Sequence, residues 1–193
     1  MSIPVSPTSR QRAIDAARDV LSHHPIYLDT ETTGLNATDE IVEISIVDHD
    51  GAVLLETLVK PSRPIPADAT VIHGITTEDV LSSRAWPIVW TLAKPLITGR
   101  VVVIYNDDFD LRMMRQSYER YNMKWNDRIK TFDLLKLYAE YRGERDPRRG
   151  GYRYHSLASA GQQCGIALPN AHRATADTLL ARALMLHIAG LPD

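Results

Sequence analysis

Absences narrow this chain before any motif does. It has a single cysteine, Cys164, which excludes an internal disulfide and fits a reducing compartment. No apolar run approaches the ~20 residues of a membrane-spanning helix. The start of the chain lacks the apolar core of a secretory signal. These absences point to a cytoplasmic protein with no membrane partner. Strong charge of either sign is also missing. With a net charge of −2, a nucleic acid would have to be met through a local basic patch or a bound metal. No internal repeat or interdomain linker is evident. What remains is 193 residues, 44% apolar and 24% charged, the proportions of a globular domain that buries roughly 70% of its unfolded surface.

Residues 25–35, Pro-Ile-Tyr-Leu-Asp-Thr-Glu-Thr-Thr-Gly-Leu, organise the rest. Ile26, Tyr27 and Leu28 predict a buried strand over 26–32, and Pro25 suits its first position. Asp29 and Glu31 have one residue between them, so on a strand they project to one face. Two carboxylates side by side at a buried strand end repel each other and lose hydration. A hard divalent cation is the simplest compensation, since Mg2+ needs only one or two carboxylates plus water and substrate oxygens. The chain then turns through Thr32, Thr33, Gly34 and Leu35, with Gly34 supplying backbone freedom.

The rest of the chain predicts a mixed five-stranded sheet flanked by helices. Runs over 41–48 and 53–59 flank His49-Asp50-Gly51, a strong hairpin signal. Short strands are expected over 101–105 and 130–132, alternating with helices, which is the pattern of an α/β domain. Helices are expected over 9–22, 76–81, 86–97, 108–121, 133–140 with Asp133 as cap, 155–164 and 174–189. Residues 60–76 read as a loop. Residues 1–24 form an extension to a domain over 25–193. Its first eight positions are expected to fray. Its helix opens on Thr8 and Gln11 as a capping box, and either packs across the domain or binds a partner. Residues 142–153 form a basic loop, either a backbone-tracking patch for a single strand or a solvated loop.

Two later acids are harder to place as ordinary surface. In Asn106-Asp107-Asp108-Phe109-Asp110, Asp110 lies beside the apolar stripe of Leu111, Met114, Tyr118 and Tyr121, so it faces the protein. Asp107 and Asp108 suit capping and dipole roles. Asp177 heads the buried stripe of Leu180, Ala181, Leu184 and Ile188. It is either a first-turn partner of the helix dipole or a ligand to a cation. His172 falls in the loop just before that helix.

Taken together, Asp29-Thr-Glu31, Tyr-Asn106-x-x-Phe109-Asp110 and His172-Arg-Ala-x-x-Asp177 resemble the DEDDh group of 3′–5′ exonucleases, relatives of the proofreading epsilon subunit. The resemblance covers roughly residues 25–190, and it includes Val-Ile-His73-Gly-Ile-Thr as a substrate loop. One departure is Asp107, where the family commonly carries alanine. The resemblance implies a ribonuclease H-like fold. It implies two Mg2+ or Mn2+ ions held by Asp29, Glu31, Asp110 and Asp177, with His172 as general base. By the same resemblance Thr32, Leu35, His73, Asn106 and Phe109 contact the terminal nucleotide. The expected activity is release of nucleoside 5′-monophosphates from the 3′ ends of nucleic acid, with single-stranded DNA ahead of RNA. An RNA-trimming relative and a polymerase-associated or nucleic-acid-binding adaptor are the alternatives. The epsilon subunit carries a C-terminal polymerase-binding tail beyond its last helix. None follows here, so a free-standing enzyme is expected ahead of a dedicated proofreading subunit.

Overall fold

A computed structural model describes residues 8–148, 150–167 and 172–192. Most of the start expected to fray, and Arg149 of the basic loop, lie outside the described residues. The strands are β1 (Ile26–Thr32), β2 (Ile41–Val47), β3 (Val53–Lys60), β4 (Arg84–Ala85), β5 (Val101–Ile104) and β6 (Lys130–Asp133), which form one sheet in the order β4-β3-β2-β1-β5-β6. The hairpin signal holds: β2 pairs antiparallel with β3, and β1 pairs antiparallel with β2. On its other side β1 pairs parallel with β5, and β5 with β6. The sheet therefore has six strands rather than five. The extra one, β4, is two residues set parallel to the end of β3, too short for any periodicity to announce it.

The described helices are α1 (Ser9–Ser22), α2 (Ala67–His73), α3 (Trp86–Ile97), α4 (Asp107–Glu119), α5 (Leu134–Arg142), α6 (Leu157–Gln163) and α7 (Ala174–Ala189). Two expectations fail locally. Residues 60–76 contain α2, a seven-residue helix closed by Gly74 at φ 74°. It rests on a small cluster of Val42, Ile65, Ala69, Ile75 and Val80. The helix expected over 76–81 is a series of turns. The basic loop contains a minimal hairpin, β7 (Arg145–Asp146) paired with β8 (Gly151–Tyr152).

Alternation along the strands sorts side chains to two buried faces. Tyr27, Val47 and Val103 face α1, α5 and α7. Ile26, Leu28, Ile44, Ile46 and Ile104 face the tryptophans of α3 and the methionines of α4. The first turn of α1 is capped by Thr8, whose Oγ1 accepts from Gln11 N at 3.2 Å. Ala13, Ala17 and Val20 of α1 are buried in the first of these clusters. So α1 packs across the domain, and its apolar face is already covered. Among the described residues no helix is long and apolar enough to cross a membrane.

Candidate active site

The site forms where β1 passes between the first turns of α7 and α4. In the β1–β2 register Asp29 lies opposite Ser45, and Glu31 opposite Glu43. All four share the face that α7 covers. Like charges directly across a strand pair are unfavourable, and here the second carboxylate is occupied elsewhere. Glu43, 1% exposed, accepts from Arg173 Nε at 3.1 Å and from Ala174 N, the first residue of α7, at 2.9 Å. Ser45 and Thr175 join through their hydroxyls at 3.0 Å. Two side chains of β2 therefore fix the first turn of α7. That turn brings Asp177 to Asp29 and Glu31, with ligand oxygens of all three within 4.8 Å of one another.

Thr30 points to the opposite face, where α4 lies. Its hydroxyl donates to Asp110 Oδ1 at 2.6 Å, and Asp110 is 3% exposed. So one strand aims Asp29 and Glu31 to one side and holds Asp110 from the other. Asp110 is also the neighbouring charge that acts most strongly on Asp29.

The electrostatics are those of buried, mutually repelling acids. Burial, then Asp110, Glu31 and Asp177, hold Asp29 well above the usual carboxylate range. Burial and the charges of Asp177 and Glu43 push Glu31 up to about 8, against the pull of Arg173. Burial raises Asp110 to about 7, opposed by its bond from Thr30. Asp177 is raised by burial too, and His172 opposes that rise. His172 is exposed, has φ 72°, and lies near enough for its charge to reach Asp177. An all-oxygen donor set of mutually repelling carboxylates fits a hard divalent cation. Two other acid-rich groups differ. Asp48, beside His49 and Asp50, pairs with Arg100; Asp107, Asp108 and Asp133 converge on Lys136.

A cavity of about 530 Å³ adjoins the carboxylates and is lined by Glu31, Thr32, Leu35, His73 and Phe109, together with Ile72 of α2. Thr32 Oγ1 donates to Gly34 O at 2.8 Å. His73 Nδ1 accepts from Ile75 N at 3.0 Å, and its Nε2 is buried. Burial keeps this imidazole below its ordinary value, while the Thr32 backbone works the other way. Asn106 is not part of the lining. It sits at the start of α4 with φ 74°, and its N–H donates to Asp133 Oδ1 at 3.3 Å. The unusual Asp107 turns toward β6, where it accepts from Thr131 Oγ1 at 2.6 Å. Asp133 caps α5 by accepting from Leu135 N at 2.9 Å. The sequence motifs give no role to Glu43 or to Arg173. An acid inside the apolar run Ile-Val-Glu-Ile-Ser-Ile-Val was the available signal.

This sheet, with acids drawn from β1, α4 and α7, is the frame of a nuclease, and the family comparison agrees. The sequence profile of the RNase_T family, described as Exonuclease, matches residues 26–185, and the chain belongs to this DnaQ-like exonuclease family. Among particular relatives, an uncharacterised exonuclease CP81 of Escherichia phage 186 is 42% identical over 168 residues, covering 83% of this chain and 86% of the relative. A DNA polymerase III epsilon-like protein of Rhodobacter capsulatus is 33% identical over 158 residues, 78% of this chain but only 21% of that longer protein. Exonuclease X, solved in complex with 5′-overhanging duplex DNA, superposes with a TM-score of 0.63 at 26% identity, covering 86% of this chain and 90% of that one.

Proposed function

We propose that this exonuclease works in the 3′–5′ direction, releasing nucleoside 5′-monophosphates from the ends of DNA. The observation that carries the reading is the cluster of Asp29, Glu31 and Asp177 within 4.8 Å, with Asp110 beside it. Asp29, Glu31 and Asp177 would hold one divalent cation, and Asp110 with Asp29 a second, as Mg2+ or Mn2+. When bound, such a pair neutralises charge on the scissile phosphate and makes water a better nucleophile. The chain's own groups do the rest. His172 takes the proton of the attacking water at its imidazole, the side chain suited to this task near neutral pH. Thr30 keeps Asp110 in place. Thr32, Leu35, His73 and Phe109 hold the terminal nucleotide in the adjoining cavity, by contacts that carry little sequence preference.

Single-stranded DNA is the primary substrate in this reading. The exonuclease X complex supports a recessed duplex end as a second substrate. The burial of the α1 apolar face weighs against a mere adaptor. The assay uses 5′-labelled DNA, matched RNA and a recessed duplex, in Mg2+, Mn2+ or chelator. A ladder shortening from the 3′ end, metal-dependent and abolished by Asp29→Ala, is expected. Product released from the 5′ end, or no product with either metal, rejects the reading.

A further inference from the structure

Helix α4, which carries Asp110, begins without an ordinary cap. Asn106, the residue before it, is left-handed at φ 74°, and its side chain makes no capping bond. That conformation is strained for a residue with a Cβ, so neighbouring contacts must hold it. They come from the two strands that flank β5. Thr30 of β1 donates to Asp110 Oδ1 at 2.6 Å, and Thr131 of β6 donates to Asp107 Oδ2 at 2.6 Å. Asp107 and Asp110 are three residues apart, neighbours in the first turn of one helix. That turn is therefore moored on both sides of β5.

The mooring to β6 is a small network. Thr131 and Asp133 alternate along β6 and so share a face. Asp133 Oδ1 accepts from Asn106 N at 3.3 Å, just before Asp107. Lys136, in the first turn of α5, reaches Asp133 Oδ2 at 2.8 Å and Asp108 Oδ2 at 3.3 Å, and lies 3.7 Å from Asp107 Oδ1. The Asp107 side chain is 14% exposed, against 82% for Asp108. Asp107 is thus built into the fold where Asp108 is not. Its charge is felt at Asp110, but less than burial and less than the bond from Thr30. What Asp107 chiefly supplies is a second fixed point.

We infer that Asp107 is a positioning residue: its bond from Thr131 fixes the roll of the first turn of α4, and so aims the second carboxylate oxygen of Asp110 at the cation it shares with Asp29. This rests on the reading of Asp110 as holder of a second cation. Thr30 alone ties down one oxygen of Asp110 and leaves the uncapped turn free to pivot about that bond. The bond to Asp107 removes the pivot, and the free oxygen of Asp110 keeps one direction. Asp29, Glu31 and Asp177 are placed by β1 and α7 instead, so the cation among those three is indifferent to Asp107.

Mn2+ titration tests this, with free ion read by electron paramagnetic resonance and thymidine 5′-monophosphate present as product. Asp107→Ala weakens the second Mn2+ about tenfold and leaves the first within about twofold. Thr131→Val, which keeps the shape of the side chain and loses its hydroxyl, does the same, and combining the two adds nothing further. Asp107→Asn keeps an oxygen for Thr131 and restores the second affinity to within about threefold of wild type. With the p-nitrophenyl ester of thymidine 5′-monophosphate as substrate, Asp107→Ala raises the Mn2+ needed for half-maximal turnover about tenfold, and excess Mn2+ recovers the rate. An unchanged second affinity in Asp107→Ala, equal losses at both ions, additive losses in the double variant, or Asp107→Asn as weak as Asp107→Ala would overturn the inference. A wild-type protein that binds no second Mn2+, or that leaves the ester intact, overturns the functional reading itself, which separates the two failures.

Discussion

Without metal, this protein should lose stability as pH rises, and a divalent cation should reverse the trend. Glu31 shows why. Its ordinary value is 4.5, and in the fold burial with Asp177 and Glu43 pushes it up to about 8. Between those values the folded chain binds a proton that the unfolded chain has released, so each step up in pH favours unfolding. The limit is about 1.4 kcal/mol per pH unit, or about 4 kcal/mol for Glu31 at pH about 7.5. Four interacting acids share protons, and their surroundings relax, so a net effect on the order of 2 kcal/mol is expected. For a chain of this size that is about 4–8 °C in melting temperature. Asp29→Asn removes the most crowded charge; it should raise the melting temperature in chelator at pH about 8 and end turnover. Cations displace these protons, so Mn2+ should stabilise more at pH about 8 than at pH about 6. At 100 times its Kd the gain is about 2.7 kcal/mol. Thermal melts across this range, in chelator and in Mn2+, read all of it. A metal-free curve that stays flat or rises with pH, or an Asp29→Asn protein that melts below wild type at pH about 8, would refute the reasoning.

Three further outcomes follow from the same geometry. His172→Ala should lower kcat by about 100-fold or more while leaving the Mn2+ increment in melting temperature intact; loss of that increment would make His172 a ligand rather than a base. Thr30→Val removes the 2.6 Å bond to Asp110; it should cost about 1–3 kcal/mol in urea unfolding and reduce turnover, and an unchanged rate would show that Asp110 needs no such support. Arg173→Ala leaves the buried Glu43 carboxylate without its ion pair. Because Arg173 is half exposed, a loss of about 2–4 kcal/mol is expected, with weaker Mn2+ binding as the first turn of α7 loosens; unchanged Mn2+ affinity would contradict the link from Glu43 to Asp177.

Much of this was legible in the chain because single elements carry their own signals. The alternation in β1 places Asp29 and Glu31 together without reference to any other segment. The apolar stripe of α4 singles out Asp110 from the adjacent Asp107 and Asp108, and in the fold Asp110 is the acid beside Asp29. What stayed hidden depends on pairing between distant segments. Helix α2 is short, lies among prolines, and is held by contacts to Val42 and Val80 rather than by its own pattern. The two residues of β4 are a strand only because β3 lies beside them. The Glu43–Arg173 pair joins residues 130 apart in sequence, and the bond from Arg112 to Leu35 O joins residues 77 apart. Local period predicts which face a residue takes; it does not predict which face it meets.

Crystals grown in manganese give the most direct reading of the central claim. Anomalous scattering should place one ion among Asp29, Glu31 and Asp177 and a second between Asp29 and Asp110. Density only at Asp48–His49–Asp50 or Asp107–Asp108–Asp133, or none at the four carboxylates, would contradict it.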